Sequence, residues 1–163
     1  MSSLVVWRLC AQHRTADAFT GEGSARRAGR WNPKGIHVAY CSETRSLAAL
    51  EVLVNVPAAT VLFDQAWAMV QAEVPAELIE RPTRFPHSWR ATPYGEATQD
   101  FGATWVREQR SAVLRVPSVV VLGEFNYLLN PAHPDFSRVR LGQPEPFSFD
   151  PRLHPLPPPW PMP

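Results

Sequence analysis

GEGSARRAGRWNPKGIHVAYCSETRSLAALEVLVN, residues 21–55, carries more structural information than any other part of the chain. It opens as a loop punctuated by Gly21, Gly23 and Gly29 and holding Arg26, Arg27 and Arg30. Trp31-Asn32-Pro33-Lys34-Gly35 follows, with Pro and Gly placed as a tight turn requires. Residues 36–40 (IHVAY) alternate, so a strand is expected with Ile36, Val38 and Tyr40 on one face. Ser42 or Thr44 then offers a side-chain oxygen to cap a helix. In that helix Leu47, Leu50, Glu51 and Val54 fall at i, i+3, i+4 and i+7, the spacing of a buried stripe. Glu51 is the one carboxylate on the stripe. An unpaired buried carboxylate is costly, so Glu51 either meets an interior arginine or lines a pocket. By the helix pattern alone both remain open.

The glycine–arginine loop has a chemistry of its own. Glycine lets backbone N–H groups approach a ligand closely, and arginine supplies forked donors to phosphate. No Gly-Lys-Ser/Thr follows, which excludes a Walker loop. No helix is expected to open after it, which excludes a dinucleotide fingerprint. A phosphate clamp and a merely basic loop both fit the bare pattern.

Composition narrows the class. With 163 residues, 45% hydrophobic and 19% charged, the chain is long enough for one domain with its own core. A net charge of +1 exerts no overall pull on nucleic acid or anionic lipid. Lys34 is the sole lysine among 16 basic residues; arginine is the better bidentate partner for phosphate, although codon usage gives the same bias. Cys10 and Cys41 make neither a disulfide framework nor a metal site. No apolar run approaches the roughly 20 residues of a membrane span, and no export signal opens the chain. A cytoplasmic protein without a metal is expected.

The rest of the chain reads as short elements. Residues 4–10 (LVVWRLC) predict a strand in which Arg8 is out of place, facing either outward or toward a ligand. Residues 60–73 carry another strand, although their apolar pattern also fits a helix. Residues 81–95 form a long surface connection whose Trp89 packs as a lid over the core, and residues 98–110 form a helix. SAVLRVPSVVVL (111–122) is a strand broken at Pro117-Ser118. NYLLNPAHP (126–134) is a strand running into a rigid turn, where Asn130 caps the turn and His133 either touches a ligand or serves the turn. Residues 142–163 hold nine of the 18 prolines and are expected to contribute nothing to the core.

Taken in order, GEGSARRAGRWNPKG with HVAYCSETRSLAALEVL, then SAVLRVPSVVV, then NYLLNPAHPDF resemble the RES domain, the toxin half of a bacterial toxin–antitoxin pair. The resemblance spans about residues 4–140. The family is named for an arginine, a glutamate and a serine. These fall on Arg30, on Glu51, and on Ser118, with Ser111 the alternative. The resemblance implies an α/β (α+β) fold: a compact single domain at 1–141 with a central mixed β-core similar to ADP-ribosyltransferase toxins, followed by a proline-rich tail at 142–163. It also implies cleavage of the nicotinamide–ribose bond of NAD, the substrate, with no cofactor. Water, phosphate or a protein would be the acceptor. The expected partner is a cognate antitoxin with an Xre-like helix-turn-helix domain, through which alone DNA would be reached.

The residues support that chemistry independently. Nicotinamide leaves as a neutral molecule and needs no general acid; the oxocarbenium-like sugar is what needs stabilising. Glu51 would supply the negative charge in a dry site. Arg30 would hold the diphosphate, assisted by Arg8. Tyr40 would stack on nicotinamide or ribose, and Ser118 would bond ribose or amide. Gly29, Ser111, Asn130 and His133 complete the candidate substrate-binding set. Beside this reading stands an inactive relative kept as a partner-binding scaffold, against which the intact Arg30, Tyr40 and Glu51 argue, and two further rivals. One is ADP-ribosyl transfer to a macromolecule from the same site. The other is a non-enzymatic nucleic-acid binder using the arginine loop, with Trp31 and Trp89 as stacking platforms.

Overall fold

Strand β1 (Ser3–Ala11) lies near the centre of the sheet, paired antiparallel along its whole length with β3 (Trp67–Pro75), from Ser3 opposite Pro75 to Ala11 opposite Trp67. Its β-branched and aromatic residues suit that position. The computed structural model describes residues 2–154. The other strands are β2 (Ala39–Ser42), β4 (Ile79–Glu80), β5 (Val113–Pro117), β6 (Phe125–Leu129), β7 (Arg140–Leu141) and β8 (Glu145–Phe147). Their order is β4-β5-β6-β2-β1-β3-β7, with β8 also pairing β3. The β4–β5 pair is parallel and the rest are antiparallel. With helices α1 (Glu22–Arg26), α2 (Arg45–Asn55) and α3 (Glu96–Arg107), this is the expected α+β domain with a mixed β-core. None of the described helices is long and apolar enough to cross a membrane.

Side-chain alternation divides the core. One sheet face buries Val6, Cys10, Cys41, Val70, Tyr127 and Leu129 beneath Phe19 and Val139. The other face carries two separate clusters. Helix α2 and Phe149 cover Leu9, Trp67 and Met69; Trp105 of α3 and Trp31 cover Val38, Leu114 and Leu128. Between the clusters, on the same face, run Tyr40, Ser42 and Asn126, with Ser42 directly opposite Asn126. That polar seam is where the site forms. The α3 cluster depends on close approach: a Cβ on Gly102 would lie 1.8 Å from the Trp31 carbonyl oxygen. Removing the fully buried Trp105 side chain would cost about 3–5 kcal/mol.

Several sequence expectations shift. The strand expected over 60–73 runs from Trp67 to Pro75, after a 3-10 turn at Ala59–Leu62, and the glycine–arginine loop contains the short helix α1. The strand expected at 36–40 pairs only from Ala39 to Ser42, the residues that face Leu129 to Asn126 of β6. The α2 stripe is rotated: Leu47 is buried, but Leu50 is 38% and Val54 57% exposed. The helix packs the buried Ala48 and the partly buried Val52 against the cluster instead, followed by Val56 just past its end, which leaves Glu51 at the margin of the packed face. Residues after 141 do enter the core. Strand β8 pairs with Trp67 to Met69, and Phe149 packs edge-on to Trp67 with ring centroids 5.6 Å apart. Pro146 is tolerated there because β8 is an edge strand, where a missing N–H leaves no ladder partner unpaired. Residues 155–163 of the proline-rich tail lie outside the described residues.

Candidate active site

Thr44 caps α2, its Oγ1 accepting from the Leu47 N–H at 3.0 Å, and the helix brings Glu51 to the seam. Glu51 Oε1 accepts from Asn126 Nδ2 at 2.6 Å and from Ser118 Oγ at 3.2 Å. Each donor is itself fixed. Ser42 Oγ donates to Asn126 Oδ1 at 2.7 Å. Ser118, just past the end of β5 at Pro117, accepts from the Val120 and Val121 N–H groups, both at 3.1 Å. Neutral donors on one oxygen orient a carboxylate without cancelling its charge. No arginine or lysine pairs with Glu51 among the described residues, so the interior-arginine alternative does not hold.

Tyr40 ties strand β2 to the glycine–arginine loop. Its hydroxyl donates to Asn32 Oδ1 at 2.6 Å and accepts from the Trp31 N–H at 3.1 Å. The fully buried Asn32 in turn donates to the Ser24 and Pro33 carbonyls at 2.8 and 3.1 Å. Burial pushes the Tyr40 pKa far above the usual tyrosine value, so the phenol stays protonated and neutral. Gly29 serves this contact: a Cβ there would sit 2.7 Å from the Tyr40 hydroxyl and 2.8 Å from Asn32 Oδ1.

Arg30 reaches the same place from the loop. Its Nη1 donates to the Trp89 and Ala91 carbonyls at 2.9 and 2.6 Å, and its guanidinium carbon lies 5.4 Å from the Tyr94 ring centroid. Partial burial lowers its pKa, while the nearby charge of Glu51 acts to raise it. Arg30 and Glu51 thus feel each other across the seam without forming an ion pair.

The remaining candidates lie elsewhere. Arg8 rises from the opposite sheet face, level with Cys41 and Val70, and its Nη1 donates to the Tyr40 carbonyl at 2.9 Å. Strands β1 and β2 share a single registered pair, and Arg8 fills the gap between them. It bonds neither Glu51 nor Arg30. Ser111, Asn130 and His133 sit at the far end of the β5–β6 pair. Ser111 accepts from Trp105 Nε1 at 2.8 Å and donates to the Val113 carbonyl at 2.9 Å. Asn130 caps its turn by accepting from the Ala132 N–H at 3.1 Å. His133 Nδ1 accepts from the Asp135 N–H at 3.1 Å, and its Nε2 lies 3.1 Å from the Gln109 carbonyl. Of the two serines, only Ser118 touches Glu51.

Sequence reasoning missed Asn126, Ser42, Asn32 and Tyr94. Asn126 had a signal, since asparagine is disfavoured in strands and shares a face with Leu128. Trp31 is not the exposed platform a nucleic-acid binder needs: it is buried against Phe85 and Phe101 at 5.7 and 5.8 Å. A cavity of about 290 Å³ lined by Phe19, Val70 and Phe136 opens on the other sheet face and takes in none of the site residues. Among the described residues no cluster of His, Cys, Asp and Glu is arranged to hold a metal.

Residues 5–150 match the RES domain. The chain belongs to the RES domain family. Similar proteins include the Prs ADP-ribosylating toxin of Sphingobium sp. (strain YBL2), 36% identical over 90% of this chain and 94% of that one. Toxin Res of Yersinia enterocolitica is 34% identical over 92% of this chain and 99% of that one. Among solved structures, the M. tuberculosis MbcT–MbcA toxin–antitoxin complex contains a chain of the same fold. Its TM-score is 0.72 at 18% identity, covering 90% of this chain and 85% of that chain. Arg30, Glu51 and Ser118, the three residues expected from the resemblance, lie about the seam between α2 and α3, where Ser118 bonds Glu51.

Proposed function

We propose that this RES domain is the toxin of a toxin–antitoxin pair and that its seam breaks the nicotinamide–ribose bond of NAD. The observation that carries the proposal is Glu51: a carboxylate aimed by Asn126 and Ser118, with no paired cation among the described residues and with Arg30 nearby. A fixed negative charge at the edge of two apolar clusters suits a reaction that develops positive charge.

The C1′–N bond breaks and nicotinamide takes the electron pair, leaving neutral from a cationic ring. The sugar becomes oxocarbenium-like at C1′, and Glu51 stabilises it. Arg30 holds the diphosphate with donors other than Nη1. Tyr40, neutral at every working pH, packs its ring against the ribose or nicotinamide. An acceptor oxygen or nitrogen then bonds C1′ and loses its proton to solvent. Water gives ADP-ribose, phosphate gives its 1″-phosphate, and a protein side chain gives an ADP-ribosylated target. The name of the Sphingobium relative favours the last of these as the second reading. The proposed partner is an antitoxin of the Xre type, and DNA is reached only through it. Exposed Leu50 and Val54, flanking Glu51 on α2, offer such a partner apolar surface.

The test is incubation of purified, partner-free protein with NAD, with and without phosphate, and with a protein extract, resolving products by mass. Free nicotinamide with ADP-ribose or its phosphate identifies a glycohydrolase or phosphorylase. Label on a macromolecule identifies a transferase. Intact NAD under all three conditions contradicts the proposal.

A further inference from the structure

We infer that Tyr94 is a binding residue of this site, a stacking platform for a planar ring of the dinucleotide placed beside the guanidinium of Arg30. The inference rests on the NAD reading above and adds to it a residue that lies outside the recognised sequence pattern.

Tyr94 ends the long connection between β4 and α3. That connection is fastened at both ends. Phe85 packs against Trp31 and Phe101, with centroids 5.7 and 5.5 Å away. The Tyr94 hydroxyl donates to the Ala28 carbonyl at 3.1 Å, and Gln99 Nε2 donates to the Gly29 carbonyl at 3.1 Å, two bonds that hold the arginine loop. Between these ties, the carbonyls of Trp89 and Ala91 take Nη1 of Arg30. The connection therefore acts as a fixed bracket for the guanidinium. Nη1 is spent on the bracket, while Nε and Nη2 have no hydrogen-bond partner among the described residues. They remain to meet an anion, and a guanidinium fork matches phosphate oxygens.

Tyr94 is 40% exposed although its hydroxyl is already satisfied. A tyrosine needed only for packing would bury its ring, and one needed only for its hydroxyl would not lay the ring against Arg30. An anchored aromatic ring with open surface, next to free arginine donors, fits a nucleotide: phosphate on the guanidinium and a flat base on the ring. Arg30, which the ring faces, follows Gly29 in the chain, and Gly29 packs against the Tyr40 hydroxyl, which places the platform beside the seam and not on a remote surface.

The test uses the full chain carrying Glu51→Gln, so that NAD binds without turnover, and compares Tyr94→Ala with Tyr94→Phe by calorimetry. Stacking predicts that Tyr94→Ala weakens NAD binding about tenfold or more, the scale of losing one base–aromatic contact. Tyr94→Phe, which keeps the ring and loses only the bond to Ala28, should bind within about twofold of its parent. The loss should recur with ADP-ribose if the stacked ring is adenine, or with nicotinamide mononucleotide if it is nicotinamide. Melting temperatures of both variants guard against misfolding. Unchanged binding in Tyr94→Ala overturns the inference and leaves the NAD reading intact, as does equal damage from Ala and Phe, which would reduce Tyr94 to a loop tie. Absence of NAD binding to the folded Glu51→Gln parent overturns both.

Discussion

The two ends of the β5–β6 pair contain nearly the same residues and do opposite things. At one end Ser118 and Asn126 turn their side chains to a third side chain, the carboxylate of Glu51. At the other, Ser111, Asn130 and His133 satisfy the Val113 carbonyl, the Ala132 N–H and the Asp135 N–H, Ser111 also takes the Trp105 indole N–H, and none of the three bonds a carboxylate. A hydroxyl, an amide and an imidazole look equally chemical in a sequence. Their partners decide whether they hold the fold or hold a charge.

The comparison breaks first at Glu51. Glu51→Gln keeps the volume and the site geometry but removes the charge, so nicotinamide release should fall about 10²–10³-fold with the melting temperature little changed. A smaller effect follows at Asn126, which gives Glu51 its shortest hydrogen bond. Asn126→Ala should reduce release about ten- to a hundredfold, the scale of one hydrogen bond to a charged group. If Asn126→Ala is as active as wild type, the seam is not distinguished from the far end in the way described.

A third prediction concerns the sheet face away from the seam. Burial raises the Cys41 thiol pKa from 9.0 to about 12. The folded protein therefore holds that proton more tightly than the unfolded chain. Stability is unaffected below pH 9 and is lost as pH rises from 9 toward 12, by at most about 1.4 kcal/mol per pH unit. Cys41→Ala should flatten that alkaline decline in chemical denaturation series, and an equally steep decline in the variant would refute the assignment. The smallest expected effect on activity is at the far end. Ser111→Ala and His133→Ala should each lose about 1 kcal/mol of stability while nicotinamide release stays within about twofold.

The helix carrying Glu51, a cap at Ser42 or Thr44, the broken strand at Pro117 and the rigid turn at Asn130 were all legible, because each rests on local chemistry that its own neighbours enforce; that Thr44 is the cap came from the structure. Glu51 itself was legible as a misfit on an apolar pattern. What was not legible depended on registers between distant strands. Asn126 meets Ser42 only because β6 pairs β2 in one register, and no local pattern in FNYLL reports this. The exposure of Leu50 and Val54 was hidden because one apolar stripe admits two helix rotations, and the second is set by Phe147 and Phe149 arriving from a segment too rich in proline to suggest a core. Arg8 was conspicuous, yet its role follows from the near absence of pairing between β1 and β2.

The most direct test of the central claim is to measure nicotinamide release from NAD by partner-free wild-type protein and by Glu51→Gln prepared side by side. Rapid release by wild type, and its near disappearance in a Glu51→Gln protein with an unchanged melting temperature, is the expected result. Equal release by both, or none from folded wild type in the presence of water, phosphate and protein acceptors, would contradict the assignment of the α2–α3 seam as a NAD-cleaving site.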